Sequence, residues 1–280
     1  MAGTLFVVAT PIGNLGDMVP RAIEILQNVD LIAAEDTRRS GQLLRHFNIA
    51  TELVSYHDHS AAGRTDRLLA ALEQGDDVAL ISDAGTPLIS DPGYRLVRRA
   101  LEQGCQLRTV PGACAAIAAL SIAGLPSDRF AFEGFLPARS AQRKKALQAL
   151  TCEPRTLIFY EAPHRILATV LDAGEVFGGE REAVVARELT KTYETVLSGS
   201  LNKLAAELSR DLNQQRGEIV LLVRGFEGVV LGDQAAQEER VLKVLLAELP
   251  TRQAAALAAR ITGGSKNELY RQALSLSQTK

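Results

Sequence analysis

Residues 78–93, VALISDAGTPLISDPG, decide the fold of this chain. The first four are apolar and uncharged, which predicts a strand covered on both faces and therefore a parallel sheet. Asp91 and Pro92 predict the N-cap and first position of a helix, whose inward face would carry Leu96, Val97, Ala100 and Leu101. The intervening loop lies at the carboxyl end of a strand, where open α/β sheets bind ligands. A tight turn without a ligand explains the same pattern.

Size and composition predict a multidomain globular protein. The chain has 280 residues, 46% hydrophobic and 23% charged, enough for two or three domains. It contains no apolar run of membrane-span length and no signal-peptide pattern at its start, so we expect a cytoplasmic protein without a membrane partner. Cys105, Cys114 and Cys152 lack CxxC spacing and support neither a disulfide framework nor a zinc site.

Charge is distributed unevenly along the chain. The net charge is −2 overall, but residues 235–280 contain seven Lys or Arg and four Asp or Glu and so carry +3. An excess of positive charge at one end indicates an anionic partner there.

Two further strand-to-loop junctions precede the central stretch. Residues 5–9 predict a strand followed by TPIGNLGD, which contains neither GxGxxG nor GxxxxGK[ST] and so disfavours dinucleotides and nucleoside triphosphates. Residues 31–34 predict a strand that runs into Glu35, Asp36, Thr37, Arg38 and Arg39. Asp36 is either a helix cap or a functional residue, and both interpretations stay open.

The loop HDHS at residues 57–60 has two histidines around one acid. Without a further ligand at fixed spacing this is a weak zinc signal, so we expect a polar loop and no metal. A hydrogen-bonding role for His57 is the alternative.

The pattern changes after Gly124, where we place a domain boundary. Strands are predicted at 106–110, 130–135, 156–161, 183–186 and 218–223, with 193–197 as a hairpin partner. A polar helix at 139–150 would present Arg143 to solvent. Glu161, His164 and Arg165 meet at one strand-to-helix turn.

The C-terminal end is predicted to be helical after a glycine-rich linker at 225–233. The last helix begins at a Ser265–Glu268 capping box, with Leu269, Ala273 and Leu274 inward and Lys266 and Arg271 outward. Two short helices joined by a glycine turn form a helix-turn-helix candidate, and a plain helical cap is the alternative. The predicted domains are 1–124, 125–226 and 235–280.

Several motifs together carry a family resemblance: TPIGN at 10–14, AEDTR at 34–38, SDAGTP at 82–87, DPG at 91–93, VPG at 110–112, FYE at 159–161, HR at 164–165 and RELTK at 187–191. Across essentially its whole length the chain resembles bacterial ribosomal RNA methyltransferases of the tetrapyrrole-methylase-like superfamily. The resemblance implies two α/β domains of the tetrapyrrole methylase type with a cofactor cleft between them, plus a small C-terminal helical domain. Composition and periodicity alone predict only a two-domain α/β protein with a helical end.

The resemblance also implies an activity and its partners. The cofactor would be S-adenosylmethionine, and the substrate would be the 2′-hydroxyl of a cytidine ribose in the decoding region of small ribosomal subunit RNA. A homodimer is implied by analogy with relatives. By position, the cofactor-binding residues would be Pro11, Ala84, Gly85, Thr86, Ile89, Cys114, Ala115, Tyr160 and Leu189.

Transfer of a methyl group from a sulfonium requires alignment and a means of removing the hydroxyl proton. The candidate catalytic residues are Glu161 and His164 first, then Asp36, with Glu35 nearby. The candidate substrate contacts are Arg38, Arg165, Arg187, Lys266 and Arg271. A capping and ion-pair role explains Glu161 and His164 equally well.

Two other functions stay open at this point. One is a methyltransferase for a small molecule, such as a corrin precursor, or for a protein. The other is a nucleic-acid-binding regulator whose helical end reads DNA. The basic C-terminal end discriminates, because a small-molecule enzyme has no use for it.

Overall fold

The computed structural model describes residues 2–56, 62–228 and 231–278. The chain divides into two compact units, Met1–Phe226 and Glu227–Lys280. Within the described residues, ten strands form two five-stranded sheets, and both sheets belong to the first unit. The predicted histidine loop at 57–60 lies outside the described residues.

The first sheet is entirely parallel, with strand order β3-β2-β4-β1-β5. The predicted strand at 78–81 is the central β4, and all four of its side chains are buried because neighbours cover both faces. The prediction of a parallel sheet from this apolar run is confirmed. The strands are β1 (Thr4–Val8), β2 (Leu31–Ala34), β3 (Glu52–Ser55), β4 (Val78–Ile81) and β5 (Gln106–Val110).

The helices of this half connect and cover the parallel strands. Pro20 occupies the first position of α1, where its missing N–H costs nothing. The helices are α1 (Pro20–Asn28), α2 (Thr37–His46), α3 (Ala62–Gln74), α4 (Tyr94–Glu102) and α5 (Ala115–Ile122).

Strand order brings the loops after β1 and β4 side by side at the carboxyl edge of the sheet. The backbone N–H of Thr10 donates to the carbonyl of Gly85 at 2.9 Å, and the N–H of Gly85 donates back at 3.1 Å. The Thr10 hydroxyl also donates to the Ser82 carbonyl at 3.2 Å. The two loops therefore form one hydrogen-bonded platform at this edge.

The second sheet is mixed, with order β6-β7-β10-β8-β9 and a single parallel pair, β6 with β7. The predicted hairpin is confirmed as the antiparallel pair β8 and β9. The elements are β6 (Phe130–Phe135), α6 (Ser140–Gln148), β7 (Thr156–Glu161), α7 (Ile166–Phe177), β8 (Glu182–Arg187), β9 (Thr195–Ser200), α8 (Leu201–Arg210) and β10 (Ile219–Val223).

Helix α5 joins the two halves of the first unit. Ala116, Ala119 and Leu120 of α5 pack in one core with Ile158 of β7 and Val220 of β10. The opposite face of the second sheet packs against α6, α7 and α8. Small alanine side chains let the α5 backbone approach the sheet closely.

Three predictions about side chains of the first unit are wrong. Asp91 does not cap α4: Gly93 occupies the N-cap position, and no side chain caps the helix. Leu101 lies in the last turn of α4 and is exposed rather than inward. Arg143 is buried rather than solvated, because α6 packs against α7, where Asp172 accepts a hydrogen bond from its Nε at 2.7 Å and pairs its charge.

The second unit consists of α9 (Leu231–Glu248), α10 (Thr251–Thr262) and α11 (Lys266–Gln278). Helix α10 ends at Thr262 and is capped by Gly263, whose φ of 75° is the left-handed conformation that glycine adopts easily. Leu242, Leu269 and three alanines of α10 are in its core. Leu274, predicted to face inward, is exposed. None of the helices that the structure describes is sufficiently long and apolar to cross a bilayer.

Candidate active site

A cleft of about 410 Å³ lies where the carboxyl edge of the first sheet meets the ends of β7 and β10. This volume is in the range of small-molecule and cofactor sites. Seven of the nine predicted cofactor-binding residues line it: Ala84, Gly85, Thr86, Ile89, Cys114, Ala115 and Tyr160. The sequence motifs therefore converge on one cavity.

The loop after β4 forms one wall and is held rigidly. Gly85 has a φ of 87°, and a Cβ there would lie 3.1 Å from Ile12 Cγ2, so this position favours glycine on two grounds. The Thr86 hydroxyl donates to the Ala113 carbonyl at 3.0 Å. Leu88 and Ser90 also have positive φ values of 74° and 63°, a conformation that strains non-glycine residues and that recurs at ligand sites.

Tyr160 of β7 provides the opposite wall. Its phenolic oxygen accepts from the backbone N–H of Ala116 at 3.2 Å, at the start of α5. Its ring contacts Phe132 and Phe135 edge-on, with centroids 4.8 and 5.7 Å apart. Burial, followed by the nearby Cys114, raises the pKa of Tyr160, so the phenol stays protonated at neutral pH.

Acidic side chains form the rim of the cleft: Glu35, Asp83, Asp91 and Glu218. Asp83 accepts from the N–H of Asp36 at 3.0 Å and lies 3.7 Å from Arg39. Glu218 accepts from Lys191 at 3.0 Å. Burial raises the pKa of Asp91 to about 6, and the negative charge of Glu35 adds to the effect.

Glu161, the first predicted catalytic residue, has a side chain with no exposed surface. Its Oε1 accepts from the Ala162 N–H at 2.7 Å and from Arg165 Nη2 at 2.6 Å, while Oε2 accepts from the Thr169 hydroxyl at 2.6 Å. Every oxygen is therefore engaged, an arrangement that suits a positioning role. His164 is exposed on the turn that follows.

The remaining predicted residues lie around the cleft rather than in it. Asp36 is the N-cap of α2, where it accepts from the Arg38 N–H at 2.8 Å, and the Arg38 side chain is 91% exposed. Pro11 lines an adjoining depression, while Leu189 is buried in the core around α5. Their roles stay predictions.

The predicted phosphate contacts differ in availability. Arg165 is paired with Glu161, and Arg187 is buried, its Nη2 donating to the Tyr193 carbonyl at 2.8 Å. Lys266 and Arg271 of the second unit are exposed on α11. The geometry favours the exposed side chains as anion contacts.

Sequence reasoning did not single out Asp91 or Phe135 as site residues. Asp91 has a helix-cap pattern in sequence, and only its place in the folded loop shows that it lines the cleft. Phe135 alternates as a strand residue would, and its 56% exposure is visible only in three dimensions. The one sequence feature that could have indicated Asp91 as a site residue is the SDPG motif at residues 90–93.

Two α/β halves with a ligand cleft between them and a helical end define the class. The family of Tetrapyrrole (Corrin/Porphyrin) Methylases matches residues 4–205, and the RsmI C-terminal HTH domain matches residues 232–277. The chain belongs to the tetrapyrrole methylase family of methyltransferases.

Proteins of similar sequence indicate which branch of this family the chain resembles. The chain is 59% identical over 275 residues to Ribosomal RNA small subunit methyltransferase I of Pseudomonas aeruginosa, covering 98% of this chain and 97% of that protein. It is 54% identical over 272 residues to the protein of the same name from Escherichia coli O157:H7, covering 97% and 95%. The resemblance predicted from the motifs is confirmed.

Solved structures agree on the fold. Uroporphyrin-III-C-methyltransferase from Thermus thermophilus has a TM-score of 0.55 at 21% identity, covering 79% of this chain and 94% of that one. A cobalt precorrin-4 methyltransferase has a TM-score of 0.58 at 14% identity, with the same coverage. At these identities the likeness shows the fold alone, and the predicted fold class is confirmed.

Proposed function

We propose that the protein transfers a methyl group from S-adenosylmethionine to the ribose 2′-hydroxyl of a cytidine in the decoding region of small-subunit (16S) ribosomal RNA. The observation that carries this proposal is identity of 59% and 54%, over nearly the whole chain, to proteins named Ribosomal RNA small subunit methyltransferase I. The matched length includes the helical end, which a small-molecule enzyme does not need.

The cleft fits a cofactor of this chemistry. Ala84 and Ile89 line the cleft and are exposed toward solvent, and Gly85 keeps a Cβ out of the wall. Apolar groups from Ile12 and Tyr160 suit an adenine or a carbon chain, and the acidic rim suits a cation. Bound there, the cofactor supplies a methyl group on a positively charged sulfur.

The protein's part in such a transfer is mainly alignment. Holding the hydroxyl oxygen in line with the methyl carbon and sulfur can supply up to roughly 7 to 11 kcal/mol. A rigid wall is needed for this, and the Thr10–Gly85 backbone pair together with the Thr86–Ala113 hydrogen bond provides it.

The RNA partner is supported by the second unit. Its matched family is described as an HTH domain, and Lys266 and Arg271 are exposed on α11. We propose that these side chains contact phosphates and so hold the RNA through a salt-dependent interaction. Arg38, exposed at the start of α2, is a further candidate contact.

Among the predicted catalytic residues, we propose that Glu161 positions the turn that carries His164. If either residue takes part in proton transfer, its variant, Glu161→Gln or His164→Ala, should keep its affinity for the cofactor and methylate the RNA at least about tenfold more slowly. Unchanged turnover in both variants would remove them from the mechanism. Asp36, the N-cap of α2, stays a predicted catalytic candidate. A homodimer stays a prediction of the resemblance, and a cytoplasmic location stays an expectation.

A tritium-methyl transfer assay tests the function. We expect the protein to label intact small ribosomal subunits that lack the modification, and nuclease mapping to place the label on one cytidine 2′-oxygen. Naked ribosomal RNA and a corrin precursor are the comparison substrates. Labelling of the corrin precursor alone would contradict the RNA assignment, and binding of DNA without any methyl transfer would favour the regulator.

A further inference from the structure

Five carboxylates line the cleft, and three of them, Asp83, Glu161 and Glu218, are each paired with a cation. Asp83 lies beside Arg39 and also accepts from the Asp36 N–H, while Glu218 is paired with Lys191. Asp91 differs because it has no ion pair among the described residues, and no cation is among the groups that shift its pKa. It stands in the strained segment after Ser90, on the same cavity as Tyr160.

We propose that Asp91 is the catalytic base that accepts the proton of the ribose hydroxyl. The inference rests on the proposed function and adds to it a residue outside the set predicted from the motifs. As the hydroxyl oxygen bonds to the donor's methyl carbon and the electron pair of the broken carbon–sulfur bond stays on sulfur, the hydroxyl proton passes to a carboxylate oxygen of Asp91. Charge and atoms balance without a further reactant.

The surroundings of Asp91 give its carboxylate the proton affinity of a useful base. Burial is the main cause of its raised pKa of about 6, and the negative charges of Glu35 and Asp83 add to it, while the Ser82 hydroxyl opposes it. Asp91 is also close enough for its charge to raise the pKa of Tyr160. A base with a pKa near the working pH is ionised yet still holds a proton well, which is the best compromise for proton transfer.

Other groups in the cleft are less suited to this role. The carboxylate of Glu161 is fully buried and accepts from Arg165 and Thr169. Tyr160 stays protonated at neutral pH and already accepts from the Ala116 N–H. A base must reach the proton it removes, so a rim carboxylate without an ion pair is the better candidate.

The first experiment compares Asp91→Asn with wild type on small ribosomal subunits. We expect methyl transfer to fall by about 10²- to 10⁴-fold, the usual contribution of a positioned base. Calorimetric affinity for S-adenosylhomocysteine should change less than threefold. Asp128→Asn is the matched control, because Asp128 is exposed at the amino end of β6, away from the cleft, and should keep its transfer rate within about twofold of wild type.

The second experiment reads the titration of Asp91 itself, without cofactor or substrate. The side-chain carboxyl resonance that is missing in Asp91→Asn should titrate in wild type with a midpoint near 6. Glu35→Gln removes a neighbouring negative charge, so this midpoint should fall. In the pH profile of the methyl-transfer rate, the acid limb of Glu35→Gln should move to lower pH by the same amount.

The outcomes separate the inference from the function on which it rests. No transfer by wild type to any ribosomal substrate would overturn both. An active wild type whose Asp91→Asn variant keeps its rate within threefold, or an Asp91 midpoint near 4, would overturn the inference alone. If Asp91→Asn does not bind S-adenosylhomocysteine, the pH profile of the Glu35→Gln variant is the test. A profile whose acid limb lies at the same pH as in wild type would reject Asp91 as the base.

Discussion

The phenolic oxygen of Tyr160 lies 3.2 Å from the backbone nitrogen of Ala116, so a strand of the second sheet receives a hydrogen bond from the first turn of α5. This hydrogen bond closes one side of the cleft between two parts of the chain that are distant in sequence. The first N–H groups of a helix have no partner within the helix, and a side-chain oxygen that satisfies one of them stabilises that end.

Tyr160→Phe tests the contribution of this hydrogen bond. The Ala116 N–H loses its acceptor, so we expect the free energy of unfolding to fall by about 0.5–1.5 kcal/mol. Affinity for S-adenosylhomocysteine should fall by less than tenfold because the ring remains. Urea unfolding and calorimetry measure the two effects. Tyr193→Phe is the control, since its side chain is 74% exposed, and an equal decrease in both variants would contradict the assigned hydrogen bond.

Glu161→Ala should be strongly destabilising. It removes the buried partner of Arg165 and the acceptor of the Thr169 hydroxyl, and breaking such a pair typically costs about 3–5 kcal/mol. Denaturant unfolding monitored by circular dichroism measures the decrease. Glu52→Ala breaks the exposed pair with Arg67 and should cost less than about 1 kcal/mol. Similar values for the two variants would refute a positioning role for Glu161.

Asp91→Asn should make the protein more stable at pH 7. The folded state raises the pKa of Asp91 from 3.8 to about 6, so between these values the folded protein binds more protons than the unfolded chain. Stability therefore falls as pH rises through this window and stays lower above it. We expect the variant to gain on the order of 1 kcal/mol at pH 7, after allowance for solvent screening of this half-buried group.

The gain from Asp91→Asn should be small at pH 4 and vanish as the pH falls below 3.8, because the wild-type carboxyl is then protonated in both states. Urea unfolding of both proteins at pH 4 and pH 7 measures it. If Asp91→Asn is less stable than wild type at pH 7, the folded protein stabilises the negative charge of Asp91, which would contradict the raised pKa.

Charge reversal of Lys266 and Arg271 tests the RNA surface. We expect the double Glu variant to bind small ribosomal subunits more weakly, and the slope of log affinity against log salt to fall by about 0.7–0.9 for each phosphate that the variant no longer neutralises. Cofactor affinity should be unaffected. Lys203→Glu at the start of α8 is the control, and an equal effect of this change would show that only net charge matters.

Much of this fold can be predicted from local sequence. A buried parallel strand must be apolar on both faces, so the sequence of β4 is an uncharged run. The buried strand β10 is an uncharged run as well. The predicted bounds of four other strands agree with the structure: β2, β5, β6 and β7. Most cofactor candidates were predictable by motif because they belong to loops that directly follow strands, whose carboxyl ends share one edge.

Other features depend on which distant segments meet. Arg143 is in a polar helix and has the sequence pattern of a solvated residue, but α7 brings Asp172 against it. Asp91 has the sequence pattern of a helix cap, yet the backbone turns at Leu88 and Ser90 carry it into the cleft beside Glu35. By itself, the sequence determined the strands, the loops that form the cleft and the family. Only the tertiary structure decided which carboxylates are paired with a cation and that Asp91 is partly buried without one, because burial and charge pairing depend on groups that the chain brings together only on folding.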